Sequence, residues 1–470
     1  KHIVSFLRIP INILLTYIMS ILDINIHNIF KIYKQDFDVN IENKIKYGEV
    51  RTDYILINKM FDLLPHHLFE NINLKWFDPC CGNGYFMILL FYKLFISLKK
   101  SIKNETTRKY HIISNMLFMN EINTEHIKTL KSIFGEHANI YNENYLTMKH
   151  FDVDIIVANP PFNYGIIKTP TNTMISKKKD GKSIWQSFIR KCIHQLDDNK
   201  HLLTIIPSIW MKKSHDMNKF ITQFDIKKLH TLNNTETNKI FHKKAQTPTC
   251  YFHLKKKPTN NYLHIYDNKY KNYIKYPIDY DLPVASISII KKLLPYIKKY
   301  NYIDNIIKTN IDPGIRSKKT LLSDDFNHMY KYKNVKTCFY KNNIKSFEIK
   351  YSNKSCKYHG VKKIILANKM YGLPYYDKTG EYGIITRDNY IITDKTEEQF
   401  LKIKKYLSTK LIKYIFESTR YRMKNLDITA FYFIPNIIDI LTFEQFNDAY
   451  LFDFFGLNFD EKKIIDELYQ

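Results

Sequence analysis

The sequence predicts an α/β protein in which a doubly wound domain, residues 46–257, precedes an α+β region, residues 285–470. Short apolar stretches alternate with helical ones from about residue 50 to 257, the pattern of a sheet covered by helices. A glycine-containing turn joins the first clear strand to its helix, as in nucleotide-binding sheets. The alternation stops after a charged stretch, residues 258–284, which we interpret as a linker.

The composition limits the class of protein. A length of 470 residues predicts two domains, or three small ones. Lys and Arg number 72 against 46 Asp and Glu, so the formal net charge is +26. This excess predicts an anionic partner, with nucleic acid the leading candidate. An AT-rich genome, which would also enrich Ile, Asn, Tyr and Phe, is the alternative source of the lysines.

The cysteines and the first residues indicate the cellular compartment in which the protein is expected. Six cysteines are scattered without a C-x-x-C pair, which argues against a disulfide framework or a zinc site and fits the reducing cytoplasm. Residues 11–22 are mostly apolar, but this length suits a buried helix better than a membrane span. No small-residue cleavage site follows. We therefore expect an N-terminal helical extension over 1–45 and no membrane association.

The first motif is a turn between a short strand, residues 74–77, and an apolar helix, residues 87–98. The turn contains Gly82 and Gly84, which let the backbone approach a ligand that the helix N-terminus faces. It lacks the third glycine of the dinucleotide fingerprint and the lysine of a P-loop. NAD and ATP are therefore poor candidates.

The second motif is an acid at the end of the next strand, residues 116–121. Glu121 has the position of a ribose-binding carboxylate, although it follows Asp78 by more than the ~20 residues usual for that role. The alternative is an ordinary exposed glutamate. A further short strand, residues 138–141, precedes the polar stretch 143–146.

The third motif ends a buried strand, residues 154–158, with Asn159, Pro160, Pro161 and Phe162. The prolines have no N–H, so strand pairing stops there. The amide oxygen of Asn159 and a proline carbonyl are both acceptors, and together they can hold the two hydrogens of one exocyclic amino group. Phe162 offers a flat face for the ring that carries this group. The alternative is a tight turn with no chemical role.

A long polar loop, residues 163–183, follows the third motif and contains three consecutive lysines, Lys177, Lys178 and Lys179. Loops of this length are commonly functional, and we expect this one to order on DNA. The α/β pattern then continues with a helix, residues 184–196, and with strands at 202–207, 225–229 and 249–254.

The C-terminal region mixes helical stretches (287–300 and 397–417) with strand-like runs (363–368 and 382–393). Residues 409–424 interleave basic and aromatic side chains: Lys410, Lys413, Tyr414, Arg420, Tyr421, Arg422 and Lys424. Such a segment could hold backbone phosphates and stack bases. A solvated helix face is the alternative.

These motifs and their order resemble the gamma-class DNA adenine-N6 methyltransferases of type II restriction–modification systems. The resemblance implies a Rossmann-like S-adenosylmethionine domain followed by a target-recognition domain. It implies cofactor-binding roles for these residues: Thr52, Asp78, Pro79, Cys80, Gly82, Gly84, Glu121, Ile122, Asn144 and Tyr145. Asn144 stands where the family has an aspartate, and Asp53 stands where it has a proline.

The same resemblance implies direct methyl transfer to a flipped-out adenine of double-stranded DNA. Asn159, Pro160, Pro161 and Phe162 would form the catalytic motif, with Phe241 as a second aromatic against the base. No metal is implied. We expect a monomer in the cytoplasm, or in the host cytoplasm if the protein is viral. A separate restriction endonuclease is a possible partner. The alternatives are a methyltransferase acting on RNA or on a protein glutamine, and a non-catalytic DNA-binding subunit with the same fold.

Overall fold

The computed structural model describes residues 52–164, 182–241, 247–341, 344–368, 372–419, 421 and 426–467. These residues form two compact units. The first comprises the described residues up to Pro207 together with Phe220–Leu229 and Thr235–Asn260, and the second comprises Ser208–Lys219, His230–Asn234 and the residues from Asn261 onward. The predicted extension, residues 1–45, lies outside the described residues.

The two units divide the chain differently from the predicted domain boundaries. Residues 208–219 and 230–234, which the sequence places in the first domain, group with the second unit. The reason is long-range contact that a linear pattern does not reveal. The Lys213 N–H, for example, donates to the Asp281 carboxylate at 2.7 Å, and both residues belong to the second unit.

A largely parallel sheet organises the first unit. The strands up to residue 258 are β1 (Trp76–Asp78), β2 (Leu117–Asn120), β3 (Asn139–Tyr141), β4 (Ile155–Ala158), β5 (Asn163–Tyr164), β6 (Lys182–Ser183), β7 (His201–Pro207), β8 (Phe224–Leu232) and β9 (Thr249–Pro258). β5 pairs with β6, and the sheet order is β3-β2-β1-β4-β7-β9-β8. The pairs from β3 to β7 are parallel, and β9 is antiparallel to β7. β1 and β4 are buried along their whole length, as their apolar sequences predict.

Helices alternate with these strands, which confirms the α/β class. They are α1 (Tyr54–Phe61), α2 (His67–Glu70), α3 (Tyr85–Ser97), α4 (Glu105–His111), α5 (Thr124–Phe134), α6 (Trp185–Gln195), α7 (Asp216–Thr222) and α8 (Asn234–Ile240). A π-helical turn, Ile112–Met116, follows α4, and a 3-10 turn, Ser208–Met211, follows β7. The Asp53 carboxylate caps α1 by accepting from the Ile55 N–H at 2.7 Å.

The stretch predicted as a linker, residues 258–284, is not a linker. It contains two antiparallel strands, β10 (Tyr262–Asp267) and β11 (Asn272–Pro277). Leu263 and Ile265 are buried and alternate with exposed polar neighbours. This period-two pattern is that of a strand with one face on a core, and the abundance of lysine and asparagine obscures it in the sequence.

The second unit continues as an α+β fold. Its further strands are β12 (Ile306–Lys308), β13 (Leu322–Ser323), β14 (Tyr332–Lys341), β15 (Ile344–Ser352), β16 (Lys363–Ala367), β17 (Gly372–Asp377), β18 (Gly383–Ile384) and β19 (Asn389–Ile392). They form two sheets, in the orders β12-β19-β16-β17 and β13-β15-β14-β18. Val335, Ile365, Ile384 and Ile391 form a shared apolar cluster.

The helices of this part are α9 (Ile287–Tyr300), α10 (Pro313–Arg316), α11 (Glu397–Leu407), α12 (Lys410–Ser418), α13 (Asp448–Phe454) and α14 (Phe459–Glu467). A 3-10 turn, Ile428–Phe433, lies between α12 and α13. Of the residues that the structure describes, no helix has the length and apolar character needed to cross a membrane.

Candidate active site

The three sequence motifs meet because the strands that precede them are parallel neighbours. β1 pairs with β2 on one side and with β4 on the other, and Phe77 has Phe118 and Ile156 as its partners. The loops that follow these strands therefore leave the same edge of the sheet. This edge is where open α/β sheets bind their ligands.

The two glycines of the turn have different roles. Both have positive φ, +54° at Gly82 and +83° at Gly84, which L side chains rarely adopt. A Cβ at Gly84 would lie 2.7 Å from Leu130 Cδ2, so this glycine allows α3 to pack against α5. A Cβ at Gly82 would meet no atom within 4 Å, so space is open above that residue. Gly82 is therefore where a ligand can approach the backbone.

The carboxylate of Glu121 faces this turn. One oxygen accepts from the Gly82 N–H at 2.8 Å, and the other accepts from the Asn123 N–H at 2.8 Å. These bonds orient a buried carboxylate beside the open space, as a ribose-binding acid requires. Its neighbour Ile122 is 48% exposed, so an apolar face lies next to the acid.

Asp78, which ends β1, is a buried acid. Its side chain is 1% exposed, and it accepts from the Cys80 N–H at 3.1 Å. Burial, opposed by this hydrogen bond and reinforced by the nearby Glu121, raises the pKa of Asp78 to about 8. The carboxyl is therefore mostly protonated at neutral pH.

Asn159 is anchored from both sides. Its Nδ2 donates to the Thr52 hydroxyl at 2.7 Å, which turns the amide oxygen away from that hydroxyl. Its main-chain carbonyl lies 3.6 Å from the Cys80 sulfur, which donates to it. The predicted catalytic amide thus adjoins both the residue predicted to begin the cofactor site and the glycine turn.

The other residues of the third motif follow directly. Pro160 is buried, while Pro161 and Phe162 are half-buried. The Phe162 carbonyl accepts from the Ile184 N–H at 3.2 Å, which ties the motif to the start of α6. The three lysines at 177–179 lie outside the described residues.

Asn144 and Tyr145, both predicted to bind the cofactor, point in different directions. Asn144 is exposed, and its amide oxygen accepts from the Leu146 N–H at 3.1 Å. The Tyr145 side chain is only 2% exposed, and its hydroxyl donates to Gln195 Oε1 at 2.9 Å. The polar atom of the Tyr145 side chain is therefore used within the core.

The predicted stacking residues are less accessible than the sequence suggests. Phe241 is 1% exposed, so its ring presents no face to a base in this conformation. In the second unit, Tyr414 and Tyr421 are buried, and their hydroxyls bond Ser286 and the Leu282 carbonyl at 2.6 Å each. The prediction that these two tyrosines stack bases is wrong for this structure, because both side chains are buried and bonded within the fold.

The predicted basic residues of the same segment are partly described. Lys410 forms an ion pair with Asp466 at 2.7 Å, and Lys413 is half-buried. Arg420, Arg422 and Lys424 lie outside the described residues. Their contact with DNA stays a prediction.

Sequence reasoning missed Asn120, which precedes Glu121 and is buried. Its Nδ2 donates to the carbonyls of Pro79 and Glu143, each at 3.0 Å, and its Oδ1 accepts from the Glu143 N–H at 3.1 Å. A polar residue at the end of an apolar strand is the only signal in the sequence.

Among the described residues no group of three or more His, Cys, Asp or Glu side chains could hold a metal ion.

Comparison with known proteins places these motifs in context. Residues 27–241 match the model of the Eco57I restriction-modification methylase family. A 73-residue stretch is 40% identical to an uncharacterized adenine-specific methylase of Mycoplasma pneumoniae (strain ATCC 29342 / M129 / Subtype 1); it covers 15% of this chain and 17% of that protein.

Two solved structures illustrate the range of structural similarity. The type IIL restriction-modification enzyme MmeI, in complex with DNA, is similar over 84% of this chain and 68% of its own, with a TM-score of 0.48 and 12% identity. A modification subunit of a putative type I restriction enzyme from Vibrio vulnificus YJ016 is similar over 60% of this chain and 59% of its own, with a TM-score of 0.37 and 14% identity. The matched family model covers less than half of this chain, and the curated relative is covered over less than a fifth of its length.

Proposed function

We propose that the protein is a site-specific DNA adenine-N6 methyltransferase that uses S-adenosylmethionine, as part of a restriction–modification system or as an orphan enzyme. The observation that carries this proposal is the anchored amide of Asn159 beside the glycine turn. The Thr52 hydroxyl holds one end of the amide, and the Cys80 sulfur holds the main chain. The match to the restriction-modification methylase family agrees with it.

The loops at the sheet edge have the properties of a site for this cofactor. Space is open above Gly82, and the Glu121 carboxylate borders it, so the backbone could approach the ligand while the acid accepts from ribose hydroxyls. Asp78, Pro79, Cys80 and Gly84 shape the same turn. S-adenosylmethionine would supply a methyl group activated by a sulfonium. As the new N–CH3 bond forms, the S–CH3 bond would break, S-adenosylhomocysteine would leave, and the nitrogen would lose one proton to solvent.

The residues of the chain would then position the acceptor. The Asn159 amide oxygen and the Pro160 carbonyl would accept the two hydrogens of the adenine amino group, which draws its nitrogen toward tetrahedral geometry and exposes its lone pair. Phe162 would stack on the ring. The base must leave the duplex to reach this position. Catalysis then rests on positioning and on fixed dipoles.

In this proposal the second unit selects the DNA sequence. The formal net charge of +26 favours binding to phosphate, and Lys410 and Lys413 are the described candidates for that contact. Gamma-class membership, a monomeric state, a cytoplasmic location and a separate endonuclease are part of the same proposal.

The test is single-turnover methylation of a pool of random-sequence duplexes, read by modified-base sequencing. Asn159→Ala should lower the rate by about 10²–10³, because one fixed polar stabiliser is lost from the transition state. Its affinity for S-adenosylmethionine should stay near that of the wild type. Asn163→Ala, at an exposed position four residues on, is the matched control.

Each alternative function has its own outcome in this test. Methylation of an RNA or of a glutamine-containing peptide in place of the duplex would move the assignment to those substrates. DNA binding without cofactor binding would identify a non-catalytic subunit. A wild-type rate in Asn159→Ala would contradict the role of the motif.

The anchor of the amide can be tested separately. Thr52→Val should lower the methylation rate, whereas Thr52→Ser should keep it near the wild-type value, because only serine keeps the hydroxyl that anchors the amide.

A further inference from the structure

Asn120 connects three of the loops at the candidate site. Its side-chain amide forms a two-bond pair with the main chain of Glu143, accepting from the N–H at 3.1 Å and donating to the carbonyl at 3.0 Å. Its second N–H donates to the Pro79 carbonyl at 3.0 Å. The loops after β1 and β3 are thus both joined to one side chain at the end of β2.

The main chain around Asn120 strengthens the same connection. The Asn120 carbonyl accepts from the Cys81 N–H at 3.0 Å. The next residue, Glu121, donates its N–H to the Tyr141 carbonyl at 3.1 Å and presents its carboxylate to Gly82. A change at Asn120 would therefore alter the spacing between the glycine turn and the loop that begins at Asn142.

We propose that Asn120 is a positioning residue that sets the distance between the two loops flanking the cofactor. The inference rests on the proposed function, which assigns residues of both loops to S-adenosylmethionine. An amide fits this role because it offers two donors and an acceptor in one plane. A carboxylate would set lone pairs against both carbonyls, and an apolar side chain would leave three buried polar groups unpaired.

The chain contains a matched control for this residue. Asn139, at the start of β3, donates its Nδ2 to the carbonyls of Ser114 and Leu117 at 2.9 and 3.0 Å. Asn139→Asp removes the same pair of donors from the same sheet. Because Asn139 lies at the amino end of its strand, it does not touch the candidate loops.

The test is calorimetric titration of the full chain with S-adenosylmethionine and with S-adenosylhomocysteine. Asn120→Asp should weaken both affinities by about tenfold or more, and Asn120→Ala should weaken them less, because it sets no charge against the two carbonyls. Asn139→Asp should bind like the wild type. In turnover assays the KM for S-adenosylmethionine should rise in Asn120→Asp while kcat at saturation stays near the wild-type value.

Three outcomes separate the inference from its premise. A wild-type chain that binds neither ligand would overturn the proposed function, and this inference with it. Wild-type affinity in Asn120→Asp, or equal loss in Asn139→Asp, would overturn the inference alone. If the Asn120 variants do not fold, hydrogen exchange on the wild type decides: exchange at 141–145 should slow when S-adenosylmethionine is added, and an unchanged rate would contradict the role.

Discussion

Two buried aspartates, Asp377 in the second unit and Asp78 in the first, differ in how their charge is compensated. In the second unit Asp377, 2% exposed, accepts from Lys363 at 2.6 Å and from the main-chain N–H groups of Glu381 and Tyr382. In the first unit Asp78 accepts from the Cys80 N–H, and its pKa is raised to about 8. Asp377, which is paired, stabilises a fold. Asp78, whose charged form is destabilised by burial, adjoins the candidate site, as functional groups often do.

The largest expected effect comes from breaking the paired carboxylate. Lys363→Met would leave Asp377 buried without its cation, and we expect unfolding of the second unit to become easier by ~3–5 kcal/mol. Urea unfolding followed by circular dichroism measures this. The control is Lys333→Met, which breaks the half-exposed pair with Glu381 and should cost about 0–1 kcal/mol. Equal losses would contradict the contrast between the two kinds of pair.

The second effect concerns the unpaired carboxylate and depends on pH. The folded state raises the pKa of Asp78 from 3.8 to about 8, so it binds more protons than the unfolded state in this interval. Stability contributed by the protonated form is therefore present below pH 4 and is lost as pH rises toward 8. The free energy of unfolding should fall by roughly 4 kcal/mol between pH 5 and 8.5 in the wild type, and Asp78→Asn should remove this fall. If the free energy of unfolding depends on pH in the same way in wild type and variant, the shifted pKa of Asp78 is refuted.

The smallest effect is expected at an exposed pair. Lys410 and Asp466 are each about two-fifths exposed, so Lys410→Ala should change the free energy of unfolding by about 0–1 kcal/mol. If Lys410 contacts phosphate, the same change should make the slope of log K for DNA binding against log salt concentration shallower by about one. Lys405→Ala, on α11, is a control of the same charge. Identical salt slopes in wild type and Lys410→Ala would remove this lysine from the DNA contact.

Local patterns predicted the parts of the site that depend on neighbours in sequence. Pro160 and Pro161 stop a strand wherever they occur, and Gly82 and Gly84 mark backbone that other residues avoid. The order of strand, turn and helix then placed Glu121 and Asn159 at one sheet edge. These predictions needed no knowledge of distant contacts.

Most of the misses have one physical cause, which is packing between residues far apart in sequence. Tyr414 and Tyr421 are typical of a binding surface by composition, yet they bond residues that lie more than a hundred positions away. Asn120 also bonds residues outside its own loop, since Pro79 and Glu143 lie 41 and 23 positions away. The β10–β11 hairpin is different, because its alternation was present in the sequence and was outweighed by its charge.

The interleaving of the two units along the chain limits how either unit can be exchanged with that of another protein. Residues 208–219 and 230–234 belong to the second unit but are encoded between segments of the first. The Lys212–Asp427 ion pair, at 2.5 Å, joins one of these inserts to the C-terminal half. A single crossover near residue 257 or 285 would therefore separate the second unit from part of itself. Recombination that keeps both units intact must carry the two inserts together with the residues from 261 onward.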